Sequence, residues 1–114
     1  MSKLADRDCI PCKGGVPPLS RDELRPLVSQ LELGWEAVND HHLRRTYQFK
    51  DFVTALAFVN AAGAIAEEQN HHPDLHLAWG KVTAEIWTHK INGLTESDFV
   101  FAAKLDRAYT AGGK

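Results

Sequence analysis

Residues 70–89 read Asn70-His71-His72-Pro73-Asp74-Leu75-His76-Leu77-Ala78-Trp79-Gly80-Lys81-Val82-Thr83-Ala84-Glu85-Ile86-Trp87-Thr88-His89. The proline after the paired histidines cannot continue a helix, because it lacks an amide donor and its ring clashes with the preceding turn. The segment before it, from Asp51 as a cap to about Asn70, has the pattern of a long helix. Phe52, Leu56, Val59, Gly63 and Ala66 line one side, and Phe58, Ala62 and Ile65 widen the stripe. After the proline the period changes to two. Leu75 to Trp79 and Val82 to His89 read as strands joined by a two-residue loop at Gly80-Lys81. In the second strand Val82, Ala84, Ile86 and Thr88 share one face, and Thr83, Glu85, Trp87 and His89 share the other.

Working outward, Trp35 to Val38 and Leu43 to Phe49 form a second pair of strands around a turn at Asn39-Asp40. Upstream of them, Ser20 with Glu23 fits a capping box for a short helix carrying Leu24, Leu27, Val28 and Leu31, ended by Gly34. Pro26 lies inside this helix, so it should kink there or begin near that residue. Downstream, Thr95-Glu96-Ser97-Asp98 caps a final helix with Phe99, Phe101, Ala102, Leu105, Ala108 and Tyr109. The order α-β-β-α-β-β-α predicts an α+β fold: a four-stranded antiparallel sheet with helices packed on one face.

A chain of 114 residues, 44% apolar and 25% charged, reads as one domain, with a tail over 1–18 and a core over about 19–110. The net charge of −2 gives no general attraction to nucleic acid or an anionic membrane. No apolar run approaches ~20 residues, and the first residues carry no signal-peptide block, so a cytoplasmic location is expected. Cys9 and Cys12 sit in the tail. A zinc site would need two further ligands, and a redox pair would be expected to open a helix after a strand. The pair reads as incidental reduced thiols.

His71 and His72 are the candidates for chemistry, with His89 at the end of the last strand. Three imidazoles brought together can donate and accept protons near neutral pH. The competing reading is structural: a histidine at a helix C-terminus favours the dipole and meets a free carbonyl. His72 and His76 straddle Pro73, so they lack the spacing of a metal signature, and metal-free acid/base work is preferred. Asp98, at the third position of the final helix, serves as a cap and can orient His89. Glu67, one turn before His71, is a candidate partner for that ring. His41 and His42 read as solvated residues of a hairpin turn.

The chain resembles the pterin-4a-carbinolamine dehydratases over about Leu19 to Tyr109. The likeness rests on Gly34-Trp35, Phe49-Lys50-Asp51-Phe52, Glu67 with His71-His72-Pro73, Trp79, Lys81-Val82, Thr88-His89, and Gly93-Leu94 leading to Asp98. Trp87 stands at a position that is often small in that family, and Leu75 replaces a frequent aromatic. The resemblance implies dehydration of a 4a-hydroxytetrahydropterin to the quinonoid dihydropterin, in support of an aromatic amino acid hydroxylase. It implies His71, His72 and His89 as the catalytic and pterin-binding set, with His72 on the N5 side, and needs no metal or other cofactor. Asn70 and Thr88 are implied as polar contacts to the pterin, and Trp35 or Trp87 as a wall of the pocket. It further implies a homo-oligomer, a dimer through the sheet or a tetramer through the helices. The alternative from another class is a non-catalytic partner-binding or dimerisation cofactor protein on the same fold.

Overall fold

Capping chemistry sets where the helices begin. In the computed structural model, which describes residues 4–7, 9, 17–32 and 34–111, Ser20 and Glu23 form the expected capping box at the start of α1 (Arg21–Val28). Asp51 accepts from the Thr54 amide at 2.9 Å and opens α2 (Phe52–Gln69). Those Thr54 hydrogen bonds hold the Asp51 carboxyl below the usual carboxylate range. The last helix is α3 (Glu96–Ala111).

The strands are β1 (Glu36–Val38), β2 (His42–Gln48), β3 (Asp74–Ala78) and β4 (Lys81–Ile86), paired antiparallel in the order β1-β2-β4-β3. The two hairpins meet along the register from Leu43↔Ile86 to Gln48↔Lys81. Leu43, Tyr47, Val82, Ala84 and Ile86 point inward and are buried together with Phe99, Phe101 and Leu105 of α3. Each such large side chain contributes about 1.5–3 kcal/mol by leaving water. The α+β fold, with two hairpins flanking a helix, is as expected.

Several local expectations are corrected. α1 begins at Arg21 despite Pro26 and ends at Val28, well before Gly34. The capping box fixes its start, and a proline this near the end removes one hydrogen bond of a short ladder. The buried stripe of α2 is Ala55, Phe58, Ala62 and Ala66, whereas Phe52 and Leu56 face outward. This helix is apolar nearly all round, so periodicity could not choose its inner face. The second hairpin turns at Trp79-Gly80, one residue earlier than expected. The first turns at Asn39 and Asp40, both in the left-handed region with φ of 53° and 55°.

The N-terminal segment is more than a surface tail. Leu4–Asp6 forms a 3-10 turn whose Leu4 and Ala5 are buried against α3. Lys104 Nζ donates to the Ala5 carbonyl at 3.0 Å, and Arg107 pairs with Asp6 at 2.6 Å. Cys9 follows, its amide donating to Gln69 Oε1 at 2.8 Å. Cys12 lies outside the described residues.

Candidate active site

The end of α2 delivers His71. Asn70 adopts a left-handed conformation with φ of 51°, and its amide and that of His71 both donate to the Ala66 carbonyl. Pro73 then turns the chain into β3. His71 Nε2 lies 2.6 Å from Asp98 Oδ1, with the histidine side chain 13% exposed and the carboxylate fully buried. Asp98 Oδ2 accepts from the Thr88 hydroxyl and the Thr95 amide, both at 2.8 Å. A buried carboxylate is tolerable only with such partners, and both oxygens here are satisfied.

This arrangement fixes a tautomer. An ionised carboxylate only accepts, so the proton of neutral His71 sits on Nε2 and Nδ1 is left with its lone pair. If Nδ1 takes up a proton, Asp98 stabilises the resulting imidazolium, as in other histidine–carboxylate couples. The Phe101 ring, 5.8 Å away, forms an apolar wall. Asp98 is thus both the capping residue expected and the partner of a histidine, but that histidine is His71 rather than His89.

Glu67 pairs with His72 at 2.6 Å, not with His71. The left-handed residue Asn70 breaks helical spacing after Gln69, so the side chain above Glu67 is five residues on instead of four. Both members of this pair are well exposed. His89 does not close a strand: β4 ends at Ile86, and Thr88 bridges to Gly93. Between them His89–Ile91 forms a 3-10 turn ending at Asn92, whose φ of 53° reverses the chain. His89 is exposed, with its ring 4.4 Å from that of Trp87.

Asn70 is exposed beside the histidine pair. Thr88 is buried, its hydroxyl engaged by Asp98 and Thr95. Trp35 stands apart, donating from Nε1 to both oxygens of Asp106 at 3.0 and 2.9 Å. Arg45 and the Tyr47 hydroxyl meet the same carboxylate at 2.6 and 2.7 Å. Burial pushes the Asp106 carboxyl up, although these donors pull against it; burial and the neighbouring carboxylate also push Tyr47 up, so its hydroxyl stays a donor. Trp35 therefore anchors a core polar cluster, and no ring contact joins it to the histidines.

His41 and His42 are not simple solvated turn residues. Their Nδ1 atoms lie 3.0 Å apart, and His41 Nε2 is 2.8 Å from Asn92 Oδ1. Both rings pack near Trp87, at 5.5 and 5.8 Å. The β2–β4 pairing brings them there: with Leu43 opposite Ile86, His42 falls opposite Trp87. Glu85 links His42 and His76, at 3.6 and 3.4 Å. Among the described residues, no group of three or more His, Cys, Asp or Glu side chains is arranged to hold a metal ion.

A family model described as pterin 4 alpha carbinolamine dehydratase matches residues 17–108. A relative from Rubrobacter xylanophilus is 61% identical over 107 residues, 94% of this chain and 99% of its own length. Another, from Alkaliphilus metalliredigens, is 54% identical over 107 residues, 94% of this chain and 96% of its own. Each carries the name "Putative pterin-4-alpha-carbinolamine dehydratase". A crystal structure from Brucella melitensis, described as a transcriptional coactivator/pterin dehydratase, superposes with a TM-score of 0.76 at 33% identity. It covers 81% of this chain and 98% of that one.

Proposed function

Because this chain belongs to the pterin 4 alpha carbinolamine dehydratase family, we propose that it is a hydro-lyase removing water from a 4a-hydroxytetrahydropterin. The C4a–O bond breaks, the departing hydroxide takes a proton and leaves as water, N5 loses its proton, and a C4a=N5 bond forms. One acid and one base suffice, and the reaction consumes no net proton. Hydroxide leaves poorly unless protonated, which is the reason for an imidazolium near the 4a-oxygen.

The observation that carries this reading is the His71–Asp98 couple: a largely buried imidazole held through Nε2 by a fully buried carboxylate, which leaves Nδ1 to meet the substrate. In this mechanism His71 and His89 exchange protons near the 4a-hydroxyl. His72, backed by Glu67, binds the pterin on its N5 side, where its greater exposure suits substrate contact. Asn70 offers a further polar contact. Thr88, its hydroxyl occupied by Asp98, acts by holding that carboxylate. The pterin supplied to such an enzyme comes from an aromatic amino acid hydroxylase, and the work is cytoplasmic and metal-free.

The test is the dehydration rate of 4a-hydroxytetrahydropterin generated in situ by a hydroxylase, read as formation of the quinonoid product. The protein should accelerate it well above the spontaneous rate, and His71→Ala should lower kcat by about 100- to 10,000-fold. A purified protein that leaves the spontaneous rate unchanged would refute the assignment.

One observation favours an additional association role. Phe52, Val53 and Leu56 are exposed on one side of α2, and Trp79 is 68% exposed on the hairpin. Apolar surface of this kind is covered in many proteins by another chain, and a homo-oligomer, a dimer or tetramer, is part of the proposal. If the protein were only a partner-binding module, it would assemble normally yet show no dehydration.

A further inference from the structure

The second group of imidazoles, at the β1–β2 turn, has no task in the mechanism above. We infer that His41 and His42 are positioning residues for His89, holding the loop that carries it through Asn92 and Trp87. The effect on turnover rests on the dehydratase reading; the effect on the loop rests on geometry alone.

The loop is short and mostly exposed. Thr88 and Gly93 close it, with the Thr88 amide donating to the Gly93 carbonyl at 2.8 Å, and His89 and Asn92 lie between them with their side chains outside the core. Two contacts hold these side chains from outside the loop. Asn92 Oδ1 meets His41 Nε2 at 2.8 Å, and the His89 ring lies 4.4 Å from Trp87. Both trace back to the same pair, since the other neighbours of the Trp87 ring include His41 and His42. A chain without this pair would leave Asn92 and one side of Trp87 to water, and His89 would lose its fixed orientation.

The hydrogen bonds also limit the charge that the pair can carry. Asn92 Oδ1 only accepts, so His41 carries a proton on Nε2. The two Nδ1 atoms, 3.0 Å apart, can share one proton but not two. When His41 is neutral its Nδ1 accepts from His42, whose Nε2 then faces Glu85 Oε2 at 3.6 Å. The pair therefore accommodates one positive charge, and a second would set two N–H groups against each other and open the contact. The charged and titratable groups around it include Glu85 of β4 with His76 of β3, Arg44 of β2 across from Glu85, Asp40 of the turn with its partner Arg21, and His89 of the loop. A second proton on the pair should thus loosen the hold on the His89 loop.

The test uses the full chain and two readouts. Imidazole NMR resonances of His89 in the free protein, assigned by their loss in His89→Ala, report the loop directly. His41→Ala should shift or broaden them and lower kcat by roughly ten- to a hundredfold, the scale of a misplaced catalytic group. His41→Gln, which keeps a side-chain N–H for Asn92, should recover most of both. His42→Phe, which keeps a ring beside Trp87 but cannot hydrogen-bond to His41, should likewise shift the His89 resonances and lower kcat. Wild-type His89 resonances and wild-type kcat in both His41→Ala and His42→Phe would overturn the inference. If His41→Ala fails to fold, His41→Gln and His42→Phe decide the matter. A wild-type protein without dehydratase activity would remove the proposed function, while the resonances would still decide whether the pair holds the loop.

Discussion

Asp98→Asn changes a buried carboxylate into an amide of the same size, and its consequences follow from the donors around it. Thr88 and Thr95 both donate to Oδ2, so the amide oxygen must occupy that position. The amide nitrogen then faces His71 Nε2 at the place of Oδ1, 2.6 Å away in the wild-type protein. Being a donor, it forces the His71 proton onto Nδ1, the atom assigned to meet the substrate. It also offers no charge to stabilise an imidazolium. A hydrogen bond to a charged group contributes about 1.5–3 kcal/mol, which converts to roughly 10- to 150-fold in rate. The wrong tautomer adds to that loss. The helix cap survives, because the amide oxygen still accepts from Thr95, so thermal stability should fall little. Asp98→Ala, in contrast, strands the Thr88 and Thr95 donors and should cost about 1–3 kcal/mol of stability as well. Initial dehydration rates paired with thermal melts separate the two effects. An Asp98→Asn protein with wild-type kcat, or one whose activity loss merely follows its melting temperature, would refute the reasoning.

Exhaustive chelation should leave the dehydration rate intact; activity lost with chelator and restored only by zinc would replace the acid/base assignment with a metal-bound hydroxide. Asp106→Ala should destabilise the fold by about 3–5 kcal/mol in denaturant titration, since the Arg45, Trp35 and Tyr47 donors would all lose the group they meet. Burial raises the folded-state value of Asp106 above the ordinary 3.8, so the folded protein binds that proton more tightly, and its contribution to stability falls as pH rises through the raised value. Melts across that window should slope less in Asp106→Asn than in wild type. Sedimentation at micromolar concentration should give a mass above the 12.7 kDa of one chain, and a monomer throughout that range would contradict the proposed assembly.

Most of the architecture was legible because the sequence punctuates it strongly. Ser20, Asp51 and Asp98 mark helix starts by side-chain chemistry, and Asn39-Asp40 marks a turn that needs left-handed backbone. The inner face of α2 was not legible. With alanine, phenylalanine and valine on every side, two stripes fit the period equally, and only packing against α3, β3 and β4 selects Ala55, Phe58, Ala62 and Ala66. At the site, residue identities could be read but their pairing could not. Glu67 and His71 have helical spacing, yet one left-handed residue at Asn70 passes the contact to His72. Likewise nearness in sequence suggested Asp98 for His89, whereas the fold brings it to His71 across 27 positions. The role of His41 and His42 required knowing that β2 lies beside β4, a pairing between hairpins that local pattern does not specify.

The contacts of Leu4–Arg7 with α3 tie together segments far apart in the sequence. Lys104 reaches Ala5 across 99 positions and Arg107 reaches Asp6 across 101. Closing so large a loop carries an entropic cost before its contacts can repay it, so this seam is expected to form late in folding. During synthesis Leu4 and Ala5 stay uncovered by this contact until α3 has been made. The matched family region begins only at residue 17. A protein trimmed to that boundary would therefore fold without its final fastening and leave the groove on α3 that receives Leu4 and Ala5 open to water.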